Sequence, residues 1–125
     1  MHELSVCHAL IAQVESIVRQ HHAQGVRTIR LRIGPLCGVD PDLMVHAFPL
    51  ARAGTLAEGA DLVIERLPIR VRCGQCGAES EAAANRLLCA HCGDWHTQII
   101  SGDEMLLENL ELETDGQPQE SRGTQ

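Results

Sequence analysis

Apolar positions recur at steps of three and four between residues 4 and 22: Leu4, Cys7, Leu10 or Ile11, Val14, and Ile17 or Val18. That period predicts an amphipathic helix with Glu15, Arg19 and Gln20 on its wetter face. Ser5 is a candidate cap at its start, and His21 and His22 suit the negative pole at its end. Gly25 reads as its stop signal. The period then falls to two. In VRTIRLRIG, residues 26–34, Ile29, Leu31 and Ile33 face one way and Thr28, Arg30 and Arg32 the other, which predicts a half-buried strand. GPLCG turns the chain. Asp40 followed by Pro41 opens a second helix, expected to carry Leu43, Met44, Ala47, Phe48 and Ala51 inward. Pro49 is an awkward interior residue there, and Gly54 a natural end.

DLVIERLPIRV, residues 61–71, reads as extended, with Pro68 marking an edge or a break. HTQII and EMLLENLELE both carry strand character. In the second, Met105 and Leu107 share one phase while Leu110 and Leu112 share the other, so a bulge or turn is expected near Glu108 or Asn109. Residues 114–125 are polar with Gly and Pro and read as a flexible tail. The order helix, strand, helix, strand, cysteine module, strand predicts an α+β fold. It is a small mixed sheet of about three strands flanked by two helices, with the module inserted before the last strand. Residues 1–70 plus 98–113 would form one domain and residues 71–97 the other.

The cysteine module carries the strongest chemical signal. Cys73 and Cys76 lie in CGQC, Cys89 and Cys92 in CAHC, with twelve residues between the pairs. Two such turns can complete a tetrahedron of sulfurs at about 2.3 Å from one ion. Four thiolates leave no open position for water, so the reading is structural Zn(II), with an iron–sulfur centre or a redox dithiol pair as competitors. Gly77 and Gly93 would let the backbone fold beneath the sulfurs. His91 and His96 are either solvated loop residues or pH-sensitive rival ligands, and Trp95 covers the site, meets a partner or packs in the core. Cys7 falls on the apolar stripe and reads as a buried structural thiol; Cys37 carries no assigned role.

The 125 residues hold 17 acidic and 10 basic side chains, for a formal charge of −7, and four zinc-bound thiolates would add a further −2. That balance disfavours nucleic acid as partner. The small cluster Arg27, Arg30 and Arg32 is partly a strand face. No apolar run reaches membrane-spanning length, and nothing resembles a secretory signal, so a cytoplasmic location is expected. No nucleophile motif, phosphate loop or H-E-x-x-H pattern points to an enzyme.

One feature remains: MHELSV puts His2 and Glu3 at the chain start. A frayed end explains it without function. Alternatively, the imidazole lies near the terminal amine of Met1 and the intervening amides, a nitrogen set that suits square-planar Ni(II) and strengthens as pH rises. MHE with Ser5, the IGPLCGV loop at 33–39, the two C-x-x-C turns and GDEMLLENLELE together resemble the HypA/HybF family of hydrogenase maturation factors over about residues 1–113. The resemblance implies a nickel-binding α/β domain, a zinc domain, and Ni(II) carried as cargo to the large-subunit precursor of [NiFe]-hydrogenase. It implies a HypB-like GTPase as partner, with urease served in some relatives, and leaves a homodimer open. His2 matches the family's essential nickel ligand, with Met1 and Glu3 completing the set. The rival is a zinc-ribbon-like adaptor for protein or nucleic acid, which leaves MHE unexplained.

Overall fold

A computed structural model describes residues 2–114 and the backbone of 118–122. Helix α1 (His2–Gln20) is followed by strand β1 (Gly25–Ile33), helix α2 (Pro41–Arg52), and strands β2 (Asp61–Arg66), β3 (Ile69–Cys73), β4 (Glu79–Ala82), β5 (Thr97–Ser101), β6 (Met105–Glu113) and β7 (Pro118–Arg122). Two sheets result, ordered β2-β1-β6-β7 and β4-β3-β5. The fold is α+β, a small sheet flanked by helices plus a four-cysteine cluster. The chain divides into two compact units, residues 1–31, 39–65 and 106–125, and residues 32–38 and 66–105.

In the first unit, α1 buries Cys7, Leu10, Ile11, Val14 and Val18, the stripe its period predicts. It packs against α2, and the Cys7 thiol donates to the Met44 carbonyl at 3.7 Å. β1 buries Ile29, Leu31 and Ile33 in alternation, while the Arg27 guanidinium reaches Glu113 at 3.1 Å. That arginine, read as part of a basic cluster, is therefore neutralised by β6. Asp40 caps α2 by accepting the Asp42 N–H at 2.9 Å, with Pro41 at the first helical position.

Several expectations change. α1 starts at His2, so Ser5 lies within the helix and does not cap it. It ends by a turn in which Ala23 N–H bonds Val18 C=O and His22 N–H bonds Arg19 C=O. His22, at φ 53°, takes the left-handed position that glycine usually fills. Gly25 instead begins β1 and is buried, where a Cβ would meet the Leu56 carbonyl at 3.1 Å. Leu43, expected inward, is exposed on α2. β6 runs unbroken while its burial changes phase from Leu107 to Leu110 and Leu112. The first sheet has four strands, because β7 pairs antiparallel with β6 where the sequence reads as a tail. The tail residues 115–117 and 123–125 lie outside the described residues.

In the second unit, β3 pairs antiparallel with both β4 and β5. Residues 69–70 and 98–101, read from sequence as part of the first domain, belong to this sheet. The IGPLCG loop joins it through backbone: Gly34 N–H donates to Glu104 C=O and Leu36 N–H to Gly102 C=O, both at 2.8 Å. A Cβ on Gly34 would fall 2.2 Å from the Gly102 backbone.

Two stability changes follow. Gly34→Ala forces that backbone apart and should cost at least about 2 kcal/mol. His22→Gly relieves the left-handed strain and should add up to about 1 kcal/mol. Urea unfolding midpoints check both. A Gly34→Ala chain as stable as the parent would refute the close approach.

Candidate metal centres

Strands β3 and β5 bring the two C-x-x-C turns together. Cys73 ends β3, and Cys76 follows within the first turn; Cys89 and Cys92 form the second. The four sulfurs lie within 4.8 Å of one another. Cys73 and Cys92 Sγ are 3.5 Å apart, and Cys76 and Cys89 Sγ 3.6 Å. A tetrahedron with metal–sulfur bonds of about 2.3 Å has edges of ~3.8 Å, so the donor set fits one tetrahedral ion.

The turns are local copies of one another. Gln75 and Cys76 N–H donate to Cys73 Sγ at 3.3 and 3.4 Å; His91 and Cys92 N–H donate to Cys89 Sγ at the same distances. Gly77 and Gly93, at φ 76° and 78°, close each turn by donating to the carbonyls of Cys73 and Cys89. Thus the glycines shape the backbone, while other residues supply the sulfur-directed amides. Outside the turns, Ser80 Oγ accepts the Ala90 N–H at 3.1 Å, Asp94 C=O accepts Cys89 N–H at 3.0 Å, and Thr97 Oγ1 donates to Leu87 C=O at 2.7 Å. No sequence signal marks Ser80, because its partner lies ten residues on.

Electrostatics divides the sulfurs into two kinds. The Cys92 amide, and then that of His91, hold the Cys89 thiol down to about 6; the Cys76 and Gln75 amides lower Cys73 likewise. At Cys92 the Asp94 amide pulls downward, but hydrogen bonding to Cys73 and Cys89 together with burial pushes the thiol up to about 12. Cys76 is also raised, its bond to Cys89 and burial outweighing the Ala78 amide. Four like charges at this spacing cannot coexist without a cation.

Neither neighbouring histidine joins the sulfurs. His96 Nδ1 lies 2.6 Å from Asp94 Oδ1, which also accepts the His96 N–H at 2.7 Å and is held below the usual carboxylate range by those contacts. The His96 ring stacks on Trp95, centroids 3.8 Å apart. Trp95 is largely exposed, which removes the core-packing reading, and the His91 side chain is solvated. Among the described residues the metal-competent cluster comprises the four cysteines. Cys7 is fully buried in the other unit, and burial raises its thiol, so it is a packing residue. Cys37 is half-buried in the Gly-Pro loop.

His2 and Glu3 occupy the first turn of α1. His2 is 61% exposed and its Nδ1 lies 3.5 Å from Glu3 Oε2. Glu3 is only 15% exposed, because the same oxygen accepts the Asp40 N–H at 3.4 Å. That amide holds the Glu3 carboxyl below its ordinary value, against a smaller effect of burial. Asp40, at the start of α2, is thus the anchor that sequence reasoning missed. Met1 lies outside the described residues.

A family model described as "Hydrogenase/urease nickel incorporation, metallochaperone, hypA" matches residues 1–112. The chain belongs to the HypA family. Its members are metallochaperones rather than catalysts. The hydrogenase maturation factor HypA of Nitrosospira multiformis is 51% identical over 91% of this chain and 99% of its own length. That of Aquifex aeolicus is 42% identical over 92% and 100%. The solution structure of the Ni metallochaperone HypA from Helicobacter pylori aligns with a TM-score of 0.64 at 28% identity, covering 90% of this HypA-family chain and 97% of the other. Among the described residues no helix is long and apolar enough to cross a membrane.

The split between the sulfurs sets a proton balance. Cys76 and Cys92 hold protons around neutral pH and must lose them to bind metal, while Cys89 is largely ionised above about 6. Metal binding near pH 7 should therefore release at least two protons, those of Cys76 and Cys92, and apparent affinity should rise about a hundredfold or more per pH unit. Competition with a chromogenic chelator between pH 6.5 and 8 measures the slope; a flat profile would contradict the raised thiols.

Proposed function

We propose that this chain binds Ni(II) through His2 and delivers it to the large-subunit precursor during [NiFe]-hydrogenase maturation, in the cytoplasm, with a HypB-like GTPase as partner. Zn(II) is resident at Cys73, Cys76, Cys89 and Cys92. The observation that carries the reading is the exposed His2 imidazole beside a Glu3 whose carboxylate is fixed to the Asp40 amide. One ligand is free to meet a metal or a receiving protein, and its neighbour is held in place.

Local chemistry supports it. The first amides of an α-helix have no intrahelical carbonyl to bond. The His2 and Glu3 amide nitrogens are therefore open to deprotonation and coordination, and the positive helix end favours the amidate charge. With Met1 they supply the nitrogen donors that suit square-planar Ni(II). A site on one exposed turn can yield its ligands stepwise to a receiving protein. Four interlocked thiolates cannot, which fits a resident ion of tetrahedral habit. The family model and the relatives' printed roles point the same way.

Calorimetry on tag-free, zinc-loaded protein with Met1 intact tests the assignment. One Ni(II) per chain is expected in the parent. His2→Ala should lose it while elemental analysis still finds one zinc. In cells, His2→Ala should abolish hydrogenase activity that added nickel does not bypass. Unchanged maturation would remove His2 as the delivery ligand. Absence of nickel binding in both proteins would favour the zinc-stabilised adaptor.

A further inference from the structure

The two C-x-x-C turns match amide for amide, and the match fails at one point. Cys73 N–H donates to Ala78 C=O at 2.9 Å, and Cys89 N–H to Asp94 C=O at 3.0 Å. The next amide in each leaves its own turn. Gly74 N–H donates to His96 C=O at 2.7 Å, and Ala90 N–H to Ser80 Oγ at 3.1 Å. His96 stands four residues past Cys92, and Ser80 four past Cys76. Each turn is thus tied to the segment that follows the other. The first tie is backbone to backbone. The second depends on a side chain.

A hydroxyl at this position needs that task to explain it. β4 alternates, with Glu79 and Glu81 exposed and Ser80 buried between them. Ser80 stands opposite Val71 of β3, which is fully buried. An apolar side chain is the ordinary occupant of such a place. Among the described residues, Ser80, at 7% exposure, is the polar one that is buried. Burying a hydroxyl costs free energy unless it is hydrogen-bonded, and the group it bonds here lies inside the second turn. The Cys89–Ala90 peptide plane sets where the next two amides point. Those amides, of His91 and Cys92, are the ones that donate to Cys89 Sγ.

We infer that Ser80 is a positioning residue for the ion held by the four cysteines. Its hydroxyl orients the Cys89–Ala90 peptide, and through it the amides on Cys89 Sγ and the spacing of Cys89 and Cys92 from the first pair. Ser80 supplies no ligand. It slows loss of the ion by keeping the second turn closed, the task that the His96 carbonyl performs for the first. The inference rests on the resident Zn(II) proposed above. Groups that orient metal ligands in this way govern affinity by roughly ten- to a hundredfold.

The test follows zinc loss from the full, zinc-loaded chain to excess pyridylazoresorcinol. Ser80→Ala should lose zinc about tenfold faster than the parent. Ser80→Thr, which keeps the hydroxyl, should restore a rate near that of the parent. Glu79→Gln breaks only the neighbouring Arg72 ion pair, on the other face of β4, and should leave the rate unchanged. With Co(II) in the cage, the visible bands of Ser80→Ala should shift while those of the other two variants match the parent. A Ser80→Ala chain with the parent's rate and spectrum overturns the inference. So does a Glu79→Gln chain that loses zinc as fast, which would mark a general weakening of the strand, or a Ser80→Thr chain no slower than Ser80→Ala. Should Ser80→Ala take up no metal, hydrogen exchange in the zinc-loaded parent decides: the Ala90 amide should be protected as Gly74 is, and an unprotected Ala90 overturns the tie. A parent that takes up no Zn(II) is a separate failure, that of the resident-metal reading itself.

Discussion

Four sulfurs within 4.8 Å cannot all ionise without a cation among them, and the second unit is arranged around that constraint. Its buried aliphatic side chains among the described residues are few: Ile33, Ile69 and Val71. Burying one such side chain contributes about 1.5–3 kcal/mol, whereas ordering a single residue's backbone costs about 1–2 kcal/mol. Apolar burial on this scale does not hold forty-seven residues. A metal held by the four cysteines would supply the remainder. The paired amides lower the thiols of Cys73 and Cys89, and a bound ion would draw protons from Cys76 and Cys92, whose thiols are raised. The β3 pairings and the Ser80 bond then align turns that sequence places sixteen residues apart.

The first unit is built on a different balance. Its core is aliphatic and continuous along the sequence periods, so it needs no ion to fold, and its helix end is left open. What fixes that end is one oxygen: Glu3 Oε2 joins the start of α1 to the start of α2. The Glu3 charge favours this contact because its carboxyl is lowered. The contribution is present above the ordinary carboxylate range and is lost as pH falls through the lowered value. Acid would therefore loosen this anchor between α1 and α2.

The parts legible in sequence were those decided by neighbours along the chain. The three-four spacing from Cys7 to Val18 marked the buried side of α1, alternation marked β1, Asp40-Pro41 marked the start of α2, and two C-x-x-C spacings marked the sulfur cage. The parts that were not legible depend on distant groups. Ser5 has cap chemistry, yet tertiary contact from Glu3 to Asp40 accompanies a helix starting at His2. Leu43 matches the apolar spacing of α2 but falls outside the arc that faces α1, since hydrophobicity alone cannot say which side is covered. Gly34 read as punctuation; its reason is the Gly102 backbone, sixty-eight residues away. The β6 phase change was legible as a conflict of pattern, and its resolution within a continuous strand was not.

On the function proposed above, two metals in one small chain would each have to be kept in place. Intrinsic affinity does not do so, because neighbouring divalent ions differ too little and in an order the protein does not control. Geometry separates them. The cage offers four soft sulfurs at tetrahedral spacing, each turn closed by glycine and held by amides, which resists flattening to a square. The helix end offers nitrogens in sequence along one turn, which would gather around an ion in a plane without enclosing it. An ion that prefers to be enclosed gains little there, and an ion that prefers a plane would have to deform the cage. On that proposal, selection between zinc and nickel would rest on the backbone conformation of the two sites as much as on their donor atoms.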